Sequence, residues 1–218
     1  MSRLVIIADD HPLFRAALRQ AVTQTVDGVD IIEADSVAAL QQAIERHPEA
    51  DLLLLDLNMP GAHGFSGLVF IRGQYPALPV VVVSGSEEPP IMGRAIEHGA
   101  AGFIPKSAPL PTISEAIQIV LNGEIWLPPE MRDQLQQLNT TTNDFSEKLA
   151  SLTPQQFRVL GMLAEGLLNK QIAYELDVSE ATVKAHMTAV FKKLGVRNRT
   201  QAVIAMQQLE VEQPSSLT

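Results

Sequence analysis

The chain has 218 residues, 46% of them hydrophobic and 19% charged, a balance that lets two small domains each bury a core. It contains no cysteine, which excludes a disulfide framework, a thiolate zinc site and a cysteine nucleophile. The net charge of −9 argues at first against nucleic acid, but residues 1–130 carry 7 Lys+Arg against 16 Asp+Glu, whereas residues 150–209 carry 7 against 4. That asymmetry permits DNA binding by the second part without establishing it.

The opening MSRLVIIADDHP has an apolar run too short for a signal peptide. No later stretch approaches the roughly 18–20 apolar residues of a membrane span, so a soluble cytoplasmic protein with no membrane partner is expected. Five short apolar runs follow one another: LVIIAD (4–9), VDIIEA (29–34), DLLLLD (51–56), PVVVVSG (79–85) and AGFIPK (101–106). Between them lie segments with helical spacing, such as Leu13, Ala17, Ala21 and Leu40, Ala43, Ile44. The middle runs are apolar on both faces, as strands covered by helices on both sides must be. This alternation predicts an α/β first domain over 1–122, a doubly wound five-stranded parallel sheet whose function gathers at the carboxyl ends of the strands. From Gly123 the chain turns polar and proline-bearing, so 123–150 reads as a linker. A short helix is expected over 129–138, and the most flexible part at 139–146. The remainder, 151–212, reads as a second, all-α domain of four helices at about 154–165, 169–176, 180–194 and 200–209.

Three aspartates fall at strand ends: Asp9 and Asp10 after the first, Asp56 closing the third. Adjacent strand ends would bring these carboxylates together, and each like-charged pair about 4 Å apart would cost on the order of 4 kcal/mol. Such a cluster takes up protons or holds a cation, and oxygen ligands alone suit Mg2+. The plain alternative is that Asp9 or Asp10 caps the helix starting near His11-Pro12. Ser84 closes the fourth run and Lys106 the fifth, a hydroxyl and an ammonium of the kind that an anionic phosphoryl group needs beside a metal. Singly, each is an ordinary turn serine or surface lysine. It is their convergence that points to a phosphate site.

Asp9-Asp10, the run DLLLLDLNMPG, Ser84 and GFIPKSA resemble the receiver domain of two-component response regulators, which has a flavodoxin-like fold. The resemblance implies that Asp56 is the phosphoacceptor of a partner histidine kinase. It also implies that Asp9, Asp10, Asp56 and the carbonyl of Asn58 hold Mg2+, and that Lys106 contacts the phosphoryl group. Ser84 and the aromatic Phe103 would form a switch, Ser84 turning towards the phosphate and Phe103 moving inward. A Phe in a strand is otherwise plain core.

In the second domain, Thr153 is placed to cap a helix with Pro154 at its first position, Gly166 to end it, and Asn169 to cap the next. Asp177-Val178-Ser179 reads as the tight turn of a helix-turn-helix, with Ser179 capping the following helix. On that helix Val183, Met187, Val190 and Leu194 form one apolar stripe, while Lys184, Thr188 and Lys192 lie on another face that can enter a major groove. Periodicity alone would equally fit a small bundle with a solvated lysine face. AEGLLNKQIA, VSEATVKAH and KKLGVRNRTQAV resemble the helix-turn-helix of LuxR-type regulators, and a receiver before it is the arrangement of the NarL/FixJ family. The resemblance implies base contacts from the face with Lys184 and Thr188. It makes Asn169, Lys170, Thr182, Lys192 and Arg199 phosphate or positioning contacts. Leu168 stands where a small polar residue is usual. His186 fits helix packing or a phosphate contact better than a metal. In the last helix Ala202, Val203, Ala205, Met206 and Leu209 exceed the needs of one core stripe and suggest a surface for a homodimer on DNA.

The expected function is a transcription regulator that binds double-stranded DNA and is switched by phosphorylation, not an enzyme, with RNA polymerase as a further candidate partner. A phosphatase of the haloacid dehalogenase kind would want a second carboxylate two residues after Asp56, where Asn58 stands. A purely structural receiver would have no reason to keep Asp9, Asp10, Asp56, Ser84 and Lys106 together.

Overall fold

A computed structural model describes residues 2–129, 131, 144–207 and 209–210. Five parallel strands, β1 (Leu4–Ala8), β2 (Asp30–Ala34), β3 (Leu52–Asp56), β4 (Val80–Ser84) and β5 (Gly102–Pro105), form one sheet in the order β2-β1-β3-β4-β5. Helices α1 (Pro12–Thr25), α2 (Val37–Arg46), α3 (Ser66–Gln74), α4 (Pro89–Glu97) and α5 (Leu110–Leu121) connect and flank the strands. Alternation along each strand divides the core. Val5, Ile7, Leu52, Leu54, Val81, Val83 and Ile104 pack with Leu18 and Val22 of α1 and Ile113, Ala116 and Ile117 of α5. Ile6, Leu53, Leu55, Val80, Val82 and Phe103 face the other way, against α2, α3 and α4. Both faces of β3 and β4 are buried throughout, which explains why these runs carry no polar alternation.

Helix α6 (Asp144–Ala150) closes the expected linker, and the second domain contains α7 (Pro154–Ala164), α8 (Asn169–Glu175), α9 (Glu180–Leu194) and α10 (Arg199–Gln207). Thr153 and Gln156 form a reciprocal capping box on α7, and the Ser179 side chain accepts from Thr182 N at the start of α9. Gly195, at φ +73, ends α9 in the left-handed conformation that a side chain resists. Asn169 does not cap α8. It is the first helical residue, and the exposed Leu168 N–H is satisfied by Gln171 Oε1 at 2.7 Å. Residues 144–146, expected in the most flexible part of the linker, open α6. The expected helix at 129–138 lies almost wholly outside the described residues.

The start of the linker is part of the sheet. Trp126 N donates to Ala101 O and Phe103 N donates to Trp126 O, adding a one-residue bridge beside β5. A Cβ on Gly102 would lie 2.9 Å from Trp126 O, so this approach requires glycine there. The second domain also continues the first domain's core. Phe70 of α3 stacks on Phe157 of α7, with centroids 4.2 Å apart and planes at 10°. Such a pair contributes about 0.5–1.5 kcal/mol beyond its buried area. Gln74 Nε2 donates to Ala150 O and Leu152 O, and Phe65 N donates to Leu209 O.

Candidate functional site

Asp9 and Asp10 immediately follow β1, Asp56 and Ser84 close β3 and β4, and Lys106 follows β5. Parallel register therefore delivers all five to one edge of the sheet. Asp9, Asp56 and Ser84 are almost completely buried. Lys106 Nζ lies 2.7 Å from Asp9 Oδ2 and 2.8 Å from Asp56 Oδ2, a cation placed between two buried carboxylates. Asn58 N donates to Asp56 Oδ1, so both oxygens of Asp56 are held. Burial pushes the Asp56 carboxyl above its ordinary value, with Asp9 adding to the rise, while Lys106 and the Asn58 amide oppose it. Burial disfavours the Lys106 ammonium, but its bonds to Asp56 and Asp9 and their charges outweigh this and raise its pKa.

Neither aspartate caps α1. The cap residue is His11, whose own side chain makes no capping bond. Asp9 Oδ1 instead accepts from His11 N at 2.7 Å, and Arg15 Nη1 donates to the Asp9 carbonyl. His11 is the residue that the sequence reading missed. Its Nδ1 lies 2.7 Å from Asp10 Oδ1 and 3.3 Å from Asp9 Oδ1. One ligand atom from each of Asp9, Asp10, His11 and Asp56 lies within 4.8 Å of all the others, a spacing that fits one divalent cation. Ser84 Oγ accepts from Ser86 N, and Phe103 is already fully buried.

On α9 the apolar stripe packs as expected, with Val183, Val190 and Leu194 buried and Met187 half-buried. Lys184, Thr188 and Lys192 are exposed, as is Lys170 on α8. Lys170, Lys184 and Lys192 make no ion pair among the described residues. Thr188 Oγ1 donates to Lys184 O, and Thr182 Oγ1 bonds Ser179 Oγ. Arg199 is partly committed, since it donates to Leu163 O at the end of α7. The neighbouring Lys193 is structural, donating to Ser151 O and Gln156 Oε1. The first domain leaves the Lys184 face uncovered. It takes hold further on: Phe65, ringed by Arg94 at 4.9 Å and His98 at 5.3 Å, binds the chain just after α10 through Leu209 O. Ala202, Met206 and Leu209 are accordingly buried, and the exposed apolar residue on α10 is Ile204, at 54%.

Comparisons with known proteins agree with this architecture. Residues 5–118 match the response regulator receiver domain, and residues 150–206 match the bacterial regulatory proteins of the luxR family. The glycerol metabolism activator of Pseudomonas putida is 41% identical over 206 residues, covering 92% of this chain and 93% of that protein. The nitrate/nitrite response regulator NarL of Escherichia coli K12 is 31% identical over 210 residues, 94% of each chain. Among solved structures, the RcsB response regulator of Salmonella typhimurium aligns with a TM-score of 0.57 at 25% identity, over 95% of this chain and 98% of that one. RcsB dimers bound to two parallel DNAs align at 0.55 and 26%, over 96% and 98%. Two matching domains in this order, over nearly the full length of each relative, identify the chain as a two-component response regulator of the NarL/FixJ family, a receiver joined to a LuxR-type DNA-binding domain that regulates transcription.

Proposed function

We propose that Asp56 is the phosphoacceptor and that its phosphorylation by a sensor histidine kinase raises the affinity of the second domain for DNA. The observation that carries this reading is the Lys106 ammonium, held between the buried carboxylates of Asp9 and Asp56 at the carboxyl edge of the sheet. A carboxylate oxygen of Asp56 attacks the phosphorus of a phosphohistidine in line, and the P–N bond breaks with its electron pair leaving on nitrogen. Asp9, Asp10, Asp56 and the Asn58 carbonyl would hold Mg2+, which when bound offsets the charge of the transferring group. Lys106 then exchanges a carboxylate oxygen for a phosphoryl oxygen, and Ser84 donates its hydroxyl to another. With Phe103 already inside, the motion that couples Ser84 to the rest is carried by the β4–β5 edge.

The DNA contacts proposed are base readout by Lys184 and Thr188, with Asn169, Lys170, Thr182, Lys192 and Arg199 positioning the helix on phosphates. The exposed Lys184 face supports a control that acts on assembly and not by covering this helix. Release of Leu209 from Phe65 would free the end of α10 for a homodimer on two half-sites about one helical turn apart. Receiver, linker and DNA-binding domain are assigned to 1–122, 123–150 and 151–212, in a cytoplasmic protein that hands its signal on to RNA polymerase. The test is intact-mass measurement after incubation with Mg2+ and acetyl phosphate. The expected result is one added phosphoryl group, absent in Asp56→Asn. Equal labelling of that variant would remove Asp56 from the reading.

A further inference from the structure

We propose that the cleft between the receiver and the helical domain binds a small aromatic monocarboxylate, held by Arg158 of α7 and the amino end of α2. The cleft is a cavity of about 180 Å³ walled by Val37 and Ala38 of α2, Pro60 and Gly61 after β3, and Phe157 and Met162 of α7. An apolar cavity of about 150 Å³ holds a benzene ring, so this one takes a single ring with one small substituent.

The charge of the ligand follows from two unmet donors. Arg158 lines the cavity, its Nε is buried without an acceptor, and no carboxylate pairs with the guanidinium, among the described residues. A buried donor left unmet costs free energy that a carboxylate oxygen would recover. Across the cavity, α2 begins. Val37 N donates to Pro60 O and Ala39 N to Ser36 Oγ, which leaves Ala38 N as the first-turn amide without an acceptor among the described residues. That amide lies at the positive end of the helix dipole, on a residue that lines the cavity. The carboxylate on the lining is the exposed Glu165, which tolerates one negative charge beside Arg158 and disfavours a second.

Packing does not force this space to exist. Gly161 sits inside α7, where glycine costs stability relative to alanine. A Cβ there would make only an ordinary contact, with Gly61 O at 3.7 Å, so crowding does not require glycine. What the missing side chain leaves is room in the cavity wall. Because α2 and Gly61 belong to the receiver and α7 to the helical domain, a ligand here touches both and favours their docked arrangement over a separated one.

The experiment titrates the full chain with benzoate, with benzamide as the neutral molecule of the same shape and with phthalate as a dianion. Benzoate should bind saturably by calorimetry, about tenfold more tightly than either of the others. In isotopically labelled protein the Ala38 amide resonance should shift along the same isotherm. Arg158→Met keeps the apolar stem and should bring benzoate down to the level of benzamide. Gly161→Val puts methyl groups into the cavity and should lose both; should that variant not fold, Arg158→Met decides alone. No saturable binding of benzoate to the wild type, equal binding of benzamide, or benzoate binding unchanged in Arg158→Met overturns the proposal. Shifts confined to the lysines of α9 also overturn it, since benzoate would then be a ligand of that exposed face.

Discussion

Charge is handled in opposite ways at the two ends of this molecule. At the carboxyl edge of the sheet, Asp9 and Asp56 are buried, and the half-buried Lys106 ammonium lies under 3 Å from both. On α9, Lys184 and Lys192 are exposed and carry no fixed partner among the described residues. The first arrangement is preorganised: removing one member leaves the rest in an environment that cannot tolerate them. The second is a set of solvated charges, cheap to change until phosphate or a base edge meets them. Between the two lies a shared apolar core, which decides whether a change at one end is felt at the other.

The largest effect is expected where that core joins the domains. Phe157→Ala should cost about 3–5 kcal/mol and separate the helical domain from the receiver. Two resolved unfolding steps and a larger radius of gyration by small-angle scattering would show this; a single step and an unchanged radius would mean that the Phe70–Phe157 stack does not join them. Next comes the cation between the two buried carboxylates. Lys106→Ala leaves Asp9 and Asp56 without their partner, and should lower stability by roughly 3 kcal/mol at neutral pH in the absence of divalent cations. Added Mg2+ should recover part of that loss in urea unfolding, and an undiminished stability without Mg2+ would mean that the two carboxylates do not depend on Lys106. On the exposed face the effects are smaller and depend on the ligand. Lys184→Ala should cost about 1–3 kcal/mol on the specific duplex and much less on a scrambled one. Lys192→Ala should weaken both alike and reduce the log–log salt slope by about 0.9. Equal losses on both duplexes for Lys184→Ala would make Lys184 a phosphate contact.

The smallest effect concerns pH. Burial, with Arg94 beside it, lowers His98 to about 4, against an ordinary value near 6.5. A neutral His98 therefore favours the packed state. That contribution is complete above about pH 6.5 and is lost as pH falls towards 4. Because His98 rests on Phe65, which binds Leu209 O, acid should loosen the hold on the end of α10. Scattering across this range should show the expansion, and His98→Gln should remove it.

The sheet and its site were legible because buried parallel strands leave few choices. A run such as DLLLLD has no solvent face, and an aspartate that ends it must meet other strand ends. The helical domain was legible through its punctuation at Thr153, Pro154, Gly166 and Ser179. What escaped notice are contacts that bring distant residues together. Nothing local marks Phe65, Arg94 and His98 as a clasp for Leu209, or Arg199 as bound to Leu163. His11 looked like the ordinary start of a helix. The helix at Asp144–Ala150 is seven residues long and is stabilised by α3, not by its own sequence.

Trp126 is the only tryptophan in the chain, and its backbone bonds to Ala101 O and Phe103 N bracket Gly102 of β5. Its indole is buried, with a ring N–H that meets no acceptor among the described residues. Fluorescence emission from this one residue therefore reports on whether the linker remains attached to the sheet, without any label. A red shift on treatment with beryllofluoride would time the release of the linker directly, and comparison with the rate of DNA binding would order the two events.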